Sequence, residues 1–543
     1  MINLERGLKR ELSFLDLTMS SLGAIIGSGW LFAAFTAAYL AGPSSIFSWI
    51  IGGVIVLFIG LVYAELGSMI PESGGIARYT QYSHGHLTSF IVGWAAVIAY
   101  ASVPAVEAEA TVQYMSHFFP GLYVKSTLTT SGLIFAALLI VAFFTVNYFG
   151  IKVFARINTP LTIWKFLMPT LTVIVLAIVG LHGVNFSHIG GFMPMKSSGM
   201  LGAVASAGIV FSYLGFRQAV DLAGEAKNPQ RDVPRALIVS IVIGIILYTL
   251  LQVVFIGALP TSVLGKGWAA IASNAQIAGA PFAQLAIFAG LSWLSTLLFI
   301  DAFLSPAGTG SIYLASTTRV LDALGRNGYL PKGLAKINPK TGIPSIALVV
   351  AAIISLIFLA PFPAWQSLVA IVSGATVFTY MVGPISAAVF RRTMPNVPRP
   401  IRLGGLSWIA PVAFIGASLI IYWDGWVADE KLLGIILIGV ALYLIISAIV
   451  PQTIAKPSAQ SFKSSVWMVF YLLFMLAMSY YGSGVFGAPA NHGKGFIPYP
   501  WDLVVIAVVS LLFYYWGVSS GYRSKAADEV LEALEETRET GAL

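Results

Sequence analysis

The chain has 543 residues, of which 58% are hydrophobic and only 10% charged, with a formal net charge of +8. Soluble domains carry about 25% charged residues, and a water-soluble fold of this length cannot hide so much apolar side chain. The composition excludes a soluble fold, and the absence of cysteine excludes disulfides, thiolate nucleophiles and cysteine-bound metal.

Residues 1–13 are polar and hold Arg6, Lys9 and Arg10. They read as a cytoplasmic N-terminus, because the apolar run that follows is too long for a leader peptide. A membrane helix needs about 20 mainly apolar residues. Fourteen stretches meet that need: 14–41, 44–68, 88–117, 129–149, 158–182, 199–222, 234–259, 281–313, 343–360, 364–390, 406–424, 431–450, 464–482 and 501–521. The third and eighth are long, which predicts tilt or a non-helical end, and the eighth contains Pro306.

Charge sets the expected orientation. Arg78, Lys152, Arg156, Lys227, Arg231, Arg235, Arg319, Arg326, Lys332, Lys336, Lys340, Arg391, Arg392, Arg399, Arg402, Lys456 and Lys463 fall in loops on one side. The other side holds only Lys125, Lys196, Lys266, Lys431 and Lys494. Positive loops stay inside, so the reading is a multi-pass inner-membrane protein with both termini cytoplasmic. The same distribution speaks against nucleic acid as a partner, since no basic cluster alternates with aromatics.

The first span contains Gly23, Gly27 and Gly29. Each glycine weakens a helix by roughly 1 kcal/mol against alanine. Two readings are open: a close-packed helix face, given the four-residue spacing of Gly23 and Gly27, or an unwound segment. Unwinding frees N–H groups at one half-helix end and C=O groups at the other. The first end attracts a carboxylate and the second an ammonium. An α-amino acid carries both on one carbon.

In the second span, Glu65 near the cytoplasmic end reads as an anchor for a basic loop. In the third, Glu107 and Glu109 point nearly opposite ways, so at most one faces a central cavity. Lys165 lies inside the fifth span, where it either snorkels to the interface or gains and loses a proton as a cavity opens and closes. The sixth span has small residues, Ser212, Gly215, and then Arg217 with Asp221 one turn on. Arg217 is either half of a structural pair with Asp221 or a cavity residue that binds a carboxylate. Asp301 shares a face with Ser305 and Thr309 in the eighth span, as a proton relay or an internal hydrogen-bond cluster.

The histidines, His84, His86, His117, His182, His188 and His492, fall mostly in loops or at helix ends, and His84-Gly85-His86 reads as a polar turn. No metal site is expected. After Gly521 the chain is acidic, with Asp528, Glu529, Glu532, Glu535, Glu536 and Glu539. It reads as a solvated tail able to form a short amphipathic helix through Leu531 and Leu534, with docking as the alternative.

Several motifs in order carry a resemblance. They are the Gly23-to-Gly29 stretch, Glu65 followed by Pro71-Glu72-Ser73-Gly74-Gly75, Phe211-Ser212-Tyr213-Leu214-Gly215-Phe216, and Gly224-Glu225-Ala226-Lys227-Asn228-Pro229-Gln230-Arg231-Asp232-Val233-Pro234-Arg235-Ala236. The chain resembles the amino acid–polyamine–organocation superfamily of permeases, and looks most like its bacterial aspartate–proton symporter branch. The resemblance implies an all-α polytopic fold of two inverted five-helix repeats, with discontinuous first and sixth helices and four additional C-terminal helices. The corresponding regions are 14–182, 199–390 and 406–521, followed by the tail 522–543. It implies that Ala24, Ile25, Gly27, Ser28 and Gly29 contact the substrate's carboxylate and amino group, and that Phe211, Ser212, Tyr213 and Gly215 do so from the sixth span. Where many relatives have a carboxylate beside the Gly-Phe pair, this chain has Arg217, which favours an acidic substrate.

No phosphate-binding loop or other cofactor motif is present. Coupling is therefore expected to use a proton, with sodium less favoured, through Lys165, Glu107 and Asp301. Some proton-coupled relatives carry a lysine where sodium-coupled ones bind their ion. The expected function is non-enzymatic amino acid transport by alternating access. The alternatives are an exchanger and a transporter-like sensor.

Overall fold

The computed structural model describes residues 12–70, 75–124, 127–149, 151–187, 189–339, 341–360, 364–450, 454 and 456–539. Arg6, Lys9, Arg10, Pro71, Glu72, Ser73, Gly74, Lys125, His188 and Lys340 lie outside them.

Among the described residues the protein is all-α apart from one pair of two-residue strands, Tyr123–Val124 with Thr127–Leu128. Each of the fourteen predicted stretches contains a helix. The first span is Phe14–Ile25 with Gly29–Ala41, the second Ser45–Met69, the third His86–Met115, the fourth Thr130–Tyr148 and the fifth Ile151–Val179. The sixth is Lys196–Ser206 with Ile209–Asp221, the seventh Pro229–Ala258, the eighth Ser292–Arg326, the ninth Ser345–Leu359 and the tenth Trp365–Thr393. The last four are Leu406–Asp424, Trp426–Ile449, Ala459–Tyr481 and Trp501–Ser520.

By length and composition alone, 11 described helices can cross a membrane, or 12 with the bent sixth span. That count merges Gly29–Met69 into one run of 41 residues. Such a run would reach about 60 Å, twice the hydrocarbon core, so it serves as two crossings. The turn lies at Gly42–Ser44, where Gly42 has φ +62° and Pro43 follows.

The first span packs on the sixth, the second on the seventh, the third on the eighth and the fourth on the ninth. Each of these pairs is five spans apart, the offset that the inverted-repeat expectation sets between corresponding helices. Apolar side chains such as Ile178 (78% exposed) and Leu512 (64%) face outward, where lipid replaces water.

The eighth predicted stretch is in fact two helices. Pro281–Phe288 ends at Gly290, which has φ +73°. The amide of Leu291 donates to Ala286 O at 2.8 Å and that of Gly290 to Ile287 O at 3.0 Å, a Schellman stop that needs the left-handed glycine. Pro306, by contrast, lies inside the continuous Ser292–Arg326 helix.

Glu65 does anchor a basic segment. Arg391 donates to both its oxygens at 2.8 and 2.6 Å, the Leu403 amide adds a bond at 2.8 Å, and Arg399 Nε lies 3.6 Å away. His84-Gly85-His86 is not a solvated turn. Gly85 (φ +80°) separates the helix Gly75–His84 from the third span, and His84 is fully buried, with Nε2 2.9 Å from Gly517 O. No metal-binding group of three side chains occurs among the described residues.

The tail also departs from the solvated reading. Its helix Lys525–Glu539 lies against Gly75–His84 and buries Ala527, Val530 and Leu531. The Tyr522 and Ser524 amides donate to Ser83 O and Tyr82 O at 2.8 and 3.2 Å. Amphipathic spacing supplied the apolar face, and the connector between the second and third spans covers it. The opposite end of the chain is tied as well: Leu12 pairs with Glu225 and Lys227 beyond the sixth span.

Candidate substrate and coupling site

The first span is interrupted at Ile26–Ser28, and Ile26 leaves the helical region with ψ 89°. The expected free backbone groups are there, and the protein itself answers most of them. At the carbonyl end, Lys165 Nζ donates to Gly23 O at 2.5 Å and to Thr309 Oγ1 at 2.6 Å. Thr309 Oγ1 in turn lies 3.3 Å from Gly23 O and Ile26 O, and the Tyr248 hydroxyl donates to Ile25 O at 2.9 Å. Lys165 Nζ thus lies at the end where the sequence reading places a substrate's ammonium. Lys165 is fully buried and does not snorkel.

At the amide end, Ser28 N–H donates to Glu107 Oε2 at 2.8 Å, while Glu107 Oε1 has no partner. A protein carboxylate thus occupies a place suited to a substrate carboxylate. Trp365 Nε1 reaches across from the tenth span to Ser28 Oγ at 2.9 Å.

The glycines serve both readings left open by the sequence. They pack tightly, and they do so at a broken segment. A Cβ on Gly27 would stand 2.6 Å from Glu107 Oε1 and 2.8 Å from Thr309 Oγ1. One on Gly23 would stand 2.8 Å from Thr162 Oγ1, and one on Gly29 would collide with Ser212 Oγ.

The sixth span bends by 47° after Ser206. Gly208 has φ +83°, which ends the first half, and Leu214–Arg217 tightens to a 3-10 turn. Gly215 lies directly on the Ala24–Ile25 peptide, so the two broken spans touch backbone to backbone. Ser212 Oγ donates to Gly208 O at 2.8 Å, and Phe211 meets Trp365 edge-on at 6.3 Å.

Tyr213 does not share that side. Its hydroxyl donates to Trp49 O at 3.1 Å, and its ring packs on Trp49 and Tyr248. Residues 211 and 213 are two apart in one helical turn, so their side chains diverge.

Arg217 is buried two residues beyond the crossing at Gly215. Nε and Nη2 donate to Asp221 Oδ2 at 3.1 and 2.9 Å, and Cζ lies 4.2 Å over the Tyr100 ring. Arg217 Nη1 and the Tyr100 hydroxyl have no partner. Arg217 therefore makes the structural pair with Asp221 and still offers one donor.

Asp301 is held by Ser305 Oγ at 2.7 Å and keeps a second oxygen without a partner. It acts on Lys165 through space. Glu109 faces away from this group, as its two-residue offset from Glu107 requires.

Thr309 and Trp365 are central here. Thr309 was legible from its spacing after Asp301 and Ser305, but nothing local marked Trp365, 337 positions from Ser28.

Two broken helices crossing inside a bundle of membrane spans, with a buried lysine and carboxylates at the break, define a secondary carrier. The chain belongs to the amino acid permease family, whose sequence profile matches residues 12–469. It is 44% identical over 532 residues to the glutamate/serine transporter AimA of Bacillus subtilis, covering 97% of this chain and 96% of that one. It is 41% identical over 522 residues to the aspartate-proton symporter of the same organism (96% and 98%). It is 30% identical over 458 residues to that organism's branched-chain amino acid permease BcaP (82% and 94%). The protein is thus a multi-pass membrane transporter of amino acids.

Proposed function

We propose that the protein carries acidic amino acids into the cell together with protons, by alternating access, with both termini cytoplasmic. The observation that carries the proton reading is Lys165, whose ammonium bonds the Gly23 carbonyl at the break of the first span. Loss of its proton would release that carbonyl end and Thr309 together, so protonation and the geometry of the break are linked. Names of relatives support both halves of the reading, one as an aspartate-proton symporter and one as a glutamate/serine transporter.

The substrate's α-carboxylate would take the amide end of the outer half-helix, near Ser28 and Gly29, and its amino group would face Glu107. Arg217 Nη1 and the Tyr100 hydroxyl would then receive the side-chain carboxylate. The purified protein in liposomes should accumulate labelled aspartate or glutamate when the outside is acid, and should stop when an ionophore collapses the gradient. Accumulation that depends instead on an amino acid inside, whatever the pH gradient, would make it an exchanger.

Arg217→Ala tests the substrate class. Removing one charge-assisted hydrogen bond should weaken aspartate and glutamate by roughly ten- to a hundredfold. Alanine and serine should lose much less. Competition against labelled substrate measures both, and equal losses would remove acidic specificity from Arg217.

A further inference from the structure

The third span carries a second buried acid that the coupling group does not use. Glu109 is 1% exposed, and neither carboxylate oxygen has a hydrogen-bond partner. One turn further along the same face, Gln113 donates through Nε2 to Ala278 O at 2.8 Å, while its Oε1 also has no partner. Three acceptor atoms therefore share a dry helix face, and no donor answers them. Buried acceptors in that state destabilise the packing, and an ionised carboxylate does so more.

A proton resolves the imbalance. Bound to Glu109 it turns one carboxylate oxygen into an O–H donor, and Gln113 Oε1 is the acceptor one turn away. It adds no volume to a packed interior, whereas a metal ion needs a ligand shell and space.

The phenol of Tyr123 lies within electrostatic reach of Glu109 and of Tyr39, and both tyrosines are only partly buried. Tyr123 thus stands between the acid and the surface at the Tyr123–Val124 strand. No lysine, arginine or histidine among the described residues acts on Glu109. Lys165, Glu107 and Asp301 form their own group.

We propose that Glu109 is a second protonation site of the carrier, loaded from the face that holds Tyr123 and separate from the Lys165 group. The proton comes from hydronium at that face, leaves water behind, and forms the Glu109 O–H bond. With the proton on, the end of the third span around Glu109 and Gln113 packs dry beside Ala278, as in this structure. With it off, the carboxylate demands water and this packing loosens. Acidity at that face therefore favours the closed outer end, independently of the proton that drives transport.

The flux arm of the test rests on the transport reading and the infrared arm does not. Counterflow of labelled substrate needs no net gradient, and it is measured with equal pH on both sides, stepped from acid to alkaline. Wild-type exchange should fall several-fold at the alkaline end, and Glu109→Gln, a permanent mimic of the protonated acid, should flatten that fall. Profiles that superimpose after scaling would overturn the proposal. Infrared difference spectra of the full-length protein over the same pH range should show a protonated-carboxyl band that fades on alkalinisation and is missing in Glu109→Gln. Tyr123→Phe should slow the appearance of that band without moving its midpoint, which keeps the proposal testable if Glu109→Gln fails to assemble. The same band in Glu109→Gln, or its removal by sodium at constant pH, would also overturn it. A wild type that exchanges nothing would defeat the transport reading, and the infrared arm would still decide Glu109.

Discussion

Replacing Lys165 by alanine is expected to abolish accumulation driven by the proton gradient while the protein still assembles. Among the described residues the Lys165 amine is the one charged group that bonds the carbonyl end of the broken first span, at Gly23 O, and it holds Thr309 at the same time. Without it, Glu107 and Asp301 lose the positive charge that acts on both. The carbonyl end then has the same structure whatever the pH, so the gradient has nothing to act on. The ratio of inner to outer substrate should drop to about one, the value set by passive equilibration. Binding, measured by protection of the protein against thermal unfolding, should survive in weakened form. Gradient-driven accumulation in the variant would remove Lys165 from the coupling path.

The second large effect is expected from Gly215→Ala. The added methyl group would stand on the Ala24–Ile25 peptide, among backbone atoms that cannot rotate away. The broken spans would have to separate at the point where they cross. Overpacking a tight contact costs about 1–3 kcal/mol even where side chains can yield, and here none can. Substrate binding should be lost, with assembled protein still recovered from the membrane. Gly202→Ala, in the first half of the same span, is the control, since nothing lies within 4 Å of its added carbon. Gly27→Leu should resemble Gly215→Ala, because its side chain would displace Glu107 and Thr309. Normal binding by Gly215→Ala would mean that the crossing does not shape the site.

Much of this was legible in the sequence because bilayers impose a simple code. Apolar runs of the right length marked the spans, and the clustered glycines marked a stretch of the first that could either pack closely or break. Glu107 and Glu109 were separable by helical geometry alone. The partners that close the site were not legible. Lys165 finds Gly23 across 142 positions and Trp365 finds Ser28 across 337, and local pattern carries no such information. Tyr213 was placed at the site by resemblance, although its two-residue offset from Phe211 already argued that the rings point apart. The tail was misread because its acidic residues dominate the composition, while docking needs only the narrow face of Ala527, Val530 and Leu531.

The way the chain ends are fastened offers a direct view of turnover. Leu12 is pinned to the connector after the sixth span, and Ser524 to the connector before the third. Each extremity thus rides on the half of the carrier to which it does not belong by sequence. The natural protein lacks any thiol. Cysteines introduced at Ser13 and at the exposed Lys525 would accept a fluorophore pair, and rocking of one half against the other would be read as a change in energy transfer between them.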